Sequence, residues 1–163
     1  MLKKTFVILV LILLPSFALA ADRLVSPDKL LVAIIEPFQK TKAKTAENII
    51  SIIKSDGTML AKMDFRSPDK EHGFVIDKIQ WTADSHFLVF STYSSGGHQS
   101  WHAPTFFFAR SDNKIRSIDD LLGPVVDPDF EILPTNILKV LVQDKTSQRE
   151  KAVSVNLSEM INR

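Results

Sequence analysis

The chain has 163 residues, of which 45% are hydrophobic and 24% are charged, and it contains no cysteine. Its formal net charge is +1, so it has no basic field that would recruit nucleic acid or an anionic lipid surface. Without disulfides, packing alone must supply the stability of the fold. These properties predict one ordinary globular domain and exclude nucleic acid as a natural partner.

The first twenty residues have the pattern of a secretory signal peptide. Two lysines precede the apolar run "FVILVLILL" (6–14), and the small residues "ALA" (18–20) end the segment. The apolar run is too short to span a bilayer comfortably, and cleavage is expected after Ala20. The sequence therefore predicts an exported protein, periplasmic or secreted, whose mature form is a single domain (21–163) without a membrane span.

An internal repeat organises the mature chain. A shift of 56 residues matches Asp28 with Asp84, and "SDG" (55–57) with "SDN" (111–113). Glycine and asparagine, which end these two motifs, are the residue types that best tolerate a positive φ in a tight turn. The recurring aspartates are therefore predicted to form turns through side-chain-to-backbone hydrogen bonds. A third, fainter copy follows these two.

Each copy predicts short strands joined by turns. "FVIDKIQW" (74–81) is rich in β-branched and aromatic residues, and "TFFF" (105–108) is apolar throughout, as in a strand buried on both faces. "AENIISIIKSDG" (46–57) fits a helix that ends at Gly57 or a strand, and its aromatic repeat partner favours the strand. "SIDDLLGP" (117–124) predicts one helical turn. The predicted repeats cover about 23–73, about 74–124 and, weakly, about 130–163.

The second copy resembles a known repeat. "KIQWTADSHFLVFS" (78–91), followed by "TFFFARSDNKI" (105–115), is similar to the WD40-like β-propeller repeat of the periplasmic translocation protein TolB and its relatives. That pattern runs from a tryptophan or leucine through Ser-Pro-Asp-Gly and two apolar strands to an Asp-centred turn. "TADS" (82–85) departs from it by lacking the proline and the glycine. The resemblance implies propeller-type antiparallel sheets in an envelope protein.

The number of repeats conflicts with a closed ring. Propellers close with four to eight blades, whereas this chain holds two clear units and a possible third. The predicted fold is all-β, with two to three propeller-like antiparallel sheets packed as a compact open stack or sandwich, not a closed propeller. Repeat units leave apolar faces that a neighbour must cover. The polar segment "NLSEMINR" (156–163) is expected to cap the stack, which favours a compact monomer over a partner-covered one.

The loop "STYSSGGHQSWHAPT" (91–105) is the candidate contact surface, centred on 93–104. Its glycines let the backbone turn, and Pro104 forces an extended entry into the next strand. Loops on a rigid sheet concentrate binding residues, and interfaces favour tryptophan and tyrosine. The alternative is that Trp101 folds back and covers the core, because tryptophan is usually buried. The predicted partner- or ligand-contacting residues are Tyr93, His98, Gln99, Trp101 and His102.

The predicted function is a non-catalytic periplasmic binding or accessory module of the cell envelope, without a cofactor, that contacts an envelope protein or a small ligand. Catalysis is disfavoured because the chain shows no G-x-S-x-G elbow, phosphate loop or paired carboxylates. A second class stays open, in which His98 and His102 hold zinc or copper in a metal-binding protein or a metal-dependent enzyme. That site would need a third ligand, such as His72, His86 or Asp84.

Overall fold

Three antiparallel sheets follow one another along the chain. The computed structural model describes residues 21–37, 47–69, 72–96, 101–144 and 146–162. The first sheet consists of β1 (Asp22–Val25), β2 (Leu31–Pro37), β3 (Asn48–Lys54) and β4 (Met59–Asp64). The middle sheet consists of β5 (Phe74–Trp81), β6 (Phe87–Ser94), β7 (Thr105–Ala109) and β8 (Lys114–Ser117). The last sheet consists of β9 (Glu131–Leu133), β10 (Ile137–Gln143) and β11 (Glu150–Asn156).

Consecutive strands are neighbours in every sheet, so each sheet is a simple meander. Short helices complete the described elements, namely α1 (Ile118–Leu122), α2 (Leu157–Met160) and a 3-10 turn at Pro134–Asn136. Across the described ranges the sheets form an open stack and do not close into a ring. The all-β prediction of an open stack is therefore confirmed. In the same ranges, no helix has the length and hydropathy needed to cross a membrane. The predicted signal peptide lies outside the described residues.

The middle sheet is buried on both faces. Phe87 and Val89 of β6 pack in an apolar layer with the last sheet. Leu88 and Phe90, the alternate residues of the same strand, pack in a second layer with the first sheet. Because side chains alternate between the faces of a strand, a strand buried in this way must be apolar at nearly every position. This explains why "TFFF" (105–108) lacks the alternation of polar and apolar residues.

The turns of the first and middle sheets have the same hydrogen bonds. The Asp28 carboxylate accepts the Leu30 N–H at 3.1 Å, and the Asp84 carboxylate accepts the His86 N–H at 3.0 Å. The residue after each of these aspartates has a positive φ, 63° and 64°. The second pair of turns agrees in the same way, with Asp56 bonded to Thr58 N–H and Asp112 bonded to Lys114 N–H. The predicted turn-forming role of the four aspartates is confirmed.

Two other local predictions are also confirmed. The segment with the ambiguous isoleucines is strand β3, and its Ile50 and Ile52 are completely buried. Helix α1 begins after Ser117, whose hydroxyl accepts the Asp120 N–H at 3.1 Å. It ends at Gly123, where φ is 98°, a conformation that favours glycine.

A buried carboxylate joins the first sheet to the middle sheet. Glu47 is 2% exposed, and its oxygens accept the Ser67 N–H at 2.8 Å and the Gly73 N–H at 2.7 Å. The hydroxyls of Ser67 and Ser95 donate to it at 2.7 and 3.0 Å. Gly73 leaves no space for a Cβ atom beside this carboxylate. Glu47 therefore connects the ends of β4 and β6 to the start of β5.

We expect Glu47→Gln to lower the free energy of unfolding by about 2 kcal/mol at pH 7, because the new amide NH₂ would face N–H and O–H donors. Chemical denaturation measures this loss. Glu36→Gln is the matched control, since Glu36 is an exposed carboxylate on the neighbouring strand. Equal unfolding free energies for the two variants would contradict the role of Glu47.

The difference between the wild type and Glu47→Gln should depend on pH. Burial raises the pKa of Glu47, but the hydrogen bonds from Ser67, Gly73 and Ser95 outweigh it and hold the pKa below its usual 4.5. A lowered pKa contributes stability above the unfolded-state value, and that contribution is lost as the pH falls through the folded-state value. The difference between the two proteins should therefore be full near pH 7 and should shrink below pH 4.5.

Candidate functional site

The structure describes the two ends of the predicted contact loop. Tyr93 lies in β6 and is 37% exposed. Trp101 and His102 lie in the segment that leads into β7. His98 and Gln99, the other predicted contact residues, lie outside the described residues. The site is therefore described from the residues that anchor the loop and from the side chains beside them.

Backbone hydrogen bonds anchor the end of the loop. Pro104 O accepts both the N–H and the hydroxyl of Thr92, each at 2.9 Å. The Ala103 N–H donates to Val125 O at 2.7 Å. Val125 also forms an isolated β-bridge with Val142 of β10. The segment after Trp101 is thus fixed to the middle sheet on one side and to the last sheet on the other.

Asp119 of helix α1 completes this anchor. Its carboxylate accepts the Thr105 N–H at 3.0 Å and the Val125 N–H at 3.3 Å. Burial raises the pKa of Asp119 above its ordinary value, against the opposing effects of these two hydrogen bonds and of the nearby His102. One carboxylate therefore joins helix α1, the start of β7 and the segment that contacts β10.

Trp101 projects from this anchor into solvent. Its side chain is 61% exposed, and its ring centroid lies 4.6 Å from that of His102. The alternative interpretation, in which Trp101 covers the core, is therefore wrong. That role belongs to Trp81, which is 6% exposed and donates its indole N–H to Leu24 O at 3.2 Å. An exposed indole beside an imidazole is a typical contact surface for a protein or a ring-shaped ligand.

Two buried polar atoms near the anchor have no hydrogen-bond partner among the described residues. They are Ser91 Oγ and His102 Nδ1. Ser91 is completely buried and lies opposite Thr105 in the β6–β7 register, and Thr105 is bonded to Asp119. A buried polar atom without a partner costs free energy unless a water, an ion or a ligand group satisfies it. Sequence patterns placed Ser91 at the start of the loop and Asp119 in the first turn of helix α1, but they missed this role of both residues, because both act through residues distant in the chain.

The other predicted metal ligands are not brought to His102. His86 pairs with Asp84 at 3.2 Å, and His72 pairs with Asp69 at 2.5 Å. Among the residues described by the structure, no three histidine, aspartate or glutamate side chains converge as an ion site requires. Ser91 is completely buried, so its hydroxyl is not presented to a substrate as a nucleophile would be.

Comparison with known proteins adds little to this description. No protein-family model matches the sequence, and no curated protein matches it. A crystal structure of a Lactobacillus plantarum protein, solved by a structural genomics consortium, is similar at 15% identity with a TM-score of 0.42. The alignment covers 81% of this chain and 40% of that protein, and at this similarity we draw neither family nor function from it. The fold and the site define a class: stacked antiparallel sheets that hold an exposed tryptophan on an anchored loop.

The two tryptophans should differ in solvent access. Trp81→Phe keeps Trp101, so its fluorescence is expected at long wavelength and should be strongly quenched by iodide. Trp101→Phe keeps Trp81, so its fluorescence is expected at shorter wavelength with several-fold weaker quenching. Because Trp101 is 61% exposed, its replacement should change the free energy of unfolding by no more than about 0.5 kcal/mol. Equal quenching of the two variants would contradict the exposed position of Trp101.

Proposed function

We propose that the chain is a non-catalytic binding or accessory module of the bacterial cell envelope, exported after cleavage near Ala20. It contacts an envelope protein, or a small ligand, through the loop 93–104. The observation that carries this proposal is the exposed indole of Trp101, held beside His102 by an anchored backbone. An apolar side chain held in solvent at such a position loses little conformational entropy on binding, which favours a specific contact.

The proposed relation to TolB-like propeller repeats is supported by the two matching turns. The Asp28 and Asp84 turns share their hydrogen bonds and their positive φ, and each belongs to a four-stranded meander. Each aspartate also accepts a second side-chain donor at the same place, the Ser26 hydroxyl or the Thr82 hydroxyl, at 2.7 Å. Repeated sheets of this type usually serve as scaffolds for contact loops.

The proposal predicts that Trp101 contributes strongly to partner binding. With a tagged full chain in the source cells, the protein should fractionate with the envelope, and a photo-crosslinking amino acid at position 93, which is 37% exposed, should capture a discrete partner. Trp101→Ala should reduce recovery of that partner about tenfold or more, as for a truncated interface tryptophan. Leu30→Ala is the control, because Leu30 is 50% exposed in the turn that precedes β2 of the first sheet. Equal recovery with both variants would reject the loop as the contact surface.

A metal-binding function is the second candidate, because His102 Nδ1 is buried and lacks a protein partner among the described residues. An imidazole nitrogen in this state is available to zinc or copper, whose ligands are commonly histidines. His98 would be the second ligand, and it lies outside the described residues. With this function, His102 Nδ1 would be a metal ligand, and a metal-dependent enzyme would become a candidate again.

Calorimetric titration of zinc and copper into chelator-treated protein tests the second candidate. It predicts one equivalent of bound metal, thermal stabilisation by that metal, and loss of both in His98→Ala and His102→Ala. His86→Ala is the matched control, because His86 is exposed and paired with Asp84. Absence of binding, or binding that survives in His102→Ala, would exclude this site.

A further inference from the structure

The last sheet has one strand fewer than the other two. In the first sheet β3 pairs with β4, and in the middle sheet β7 pairs with β8. Strand β11 has the same place in the last sheet, because it pairs with β10 as β3 pairs with β2 and β7 with β6. Over the described ranges, however, the last sheet ends at β11, and the chain continues into helix α2 in place of a fourth strand.

Strand β11 presents backbone groups along this open edge. Leu141 O of β10 accepts the Val126 N–H, so Leu141 directs its backbone groups away from β11. In an antiparallel pair, the residue opposite such a position also directs its groups outward, and that residue is Ala152. By alternation, Glu150 and Ser154 direct theirs to the open edge as well. None of the three has a backbone hydrogen bond to a turn, a loop or another sheet within the described ranges.

The other edge strands that the structure describes are short or irregular. Strands β1 and β8 have four residues each and β9 has three, and Leu24 O of β1 accepts the indole N–H of Trp81. Register shifts interrupt the pairing of β4 and of β5. Strand β11 instead pairs over seven residues without a shift and contains no proline. A long, regular edge of this kind accepts an added strand readily.

The fourth strands of the other two sheets show which chemistry suits this edge. In β4, Lys62 stands between Ala61 and Met63, and both of these apolar side chains pack in the layer between the first and middle sheets. In β8, Ile115 packs in the same layer and stands between two basic residues. Both strands therefore alternate apolar side chains, which extend a core layer, with basic side chains on the other face.

The side chains of β11 fit a strand of the same kind. Val153 and Val155 are partly buried against the layer between the middle and last sheets, and Glu150 is exposed on the opposite face. Strand β11 has no basic residue on the Glu150 face, and Lys151 on the other face already pairs with Asp144 at 3.2 Å. A second copy of β11 would therefore not supply a positive charge opposite Glu150.

We propose that an extended segment of a partner protein adds to β11 as the fourth strand of the last sheet. Its apolar side chains extend the layer beside Val153 and Val155, and a lysine or arginine of the segment lies opposite Glu150, where cross-strand charges stabilise a pair. Main-chain hydrogen bonds to β11 supply affinity, and the alternating side chains supply selectivity. This edge belongs to the last sheet, so the contact is additional to the one proposed for the loop 93–104.

A photo-crosslinking amino acid at position 154, introduced into the full chain in the source cells, tests this edge. Ser154 is exposed on β11, and its replacement leaves the backbone groups in place. We expect a cross-link to a different protein, in which mass spectrometry locates one segment with alternating apolar and polar residues. A synthetic peptide of that segment should bind the purified protein, made from the full chain, and should slow hydrogen exchange of the Ala152 N–H.

Ala152→Pro should weaken binding of this peptide about tenfold or more, because it removes an N–H group of the open edge at a position where an edge strand tolerates proline. Ala152→Val is the matched control, since it keeps the N–H group and should bind like the wild type. Glu150→Lys should weaken binding several-fold by placing like charges opposite each other, whereas Glu36→Lys, at an exposed carboxylate of the first sheet, should not. Unchanged thermal unfolding shows that each variant retains the fold, and Glu150→Lys decides the outcome if Ala152→Pro unfolds.

The absence of a cross-link from position 154 would overturn the proposal, as would a cross-link to a second copy of the chain or to a segment without this alternation. A peptide that does not bind, or that binds Ala152→Pro and Ala152→Val equally when both are folded, would also overturn it. Trp101→Ala should leave the cross-link from position 154 unchanged. Failure of this proposal is therefore distinguishable from failure of the loop 93–104 as a contact surface.

Discussion

The burial of the middle sheet on both faces is the constraint on which the rest of the structure depends. Its central strands supply Phe87 and Phe107 to one apolar layer and Phe90 and Phe108 to the other. Phenylalanine rings are in contact in both layers, as in the pairs Phe87–Phe107 and Phe90–Phe106, and rings in contact contribute beyond their buried area. Because neither the first nor the last sheet has such a layer on its outward face, both depend on the middle sheet for their cores. The chain is thus a three-layer stack whose stability depends on β6 and β7.

Hydrogen bonds near the ends of the strands determine how the sheets are aligned with one another. Glu47 joins the first sheet to the middle sheet, and Asp119 joins the middle sheet to the segment that contacts the last one. Each is a carboxylate with backbone N–H donors around it, and each connects segments distant in the chain. The apolar layers are non-directional, so these directional bonds determine the alignment. Asp119 accepts the N–H of Val125, and Val125 O in turn accepts the N–H of Ala103, two residues after Trp101.

Exposed side chains of different kinds lie on the three sheets. On the last sheet, Lys139 pairs with Glu131, whereas on the first sheet Val25 and Met59 are 50% and 54% exposed. Trp101, in the segment that leads into β7 of the middle sheet, is 61% exposed.

Local chemistry in the sequence determined the strands and the turns. The Asp28 and Asp84 turns, strand β5 and the capped helix α1 were predictable because each depends on residues a few positions apart. The helix or strand ambiguity at Ile50 was resolved by the repeat. Only the tertiary structure decided that Glu47 accepts donors from three segments, that Asp119 joins Thr105 to Val125, and that Trp101 stays in solvent while Trp81 is buried. Those outcomes depend on which distant segments meet in space, and a pattern of neighbouring residues does not show which segments will meet.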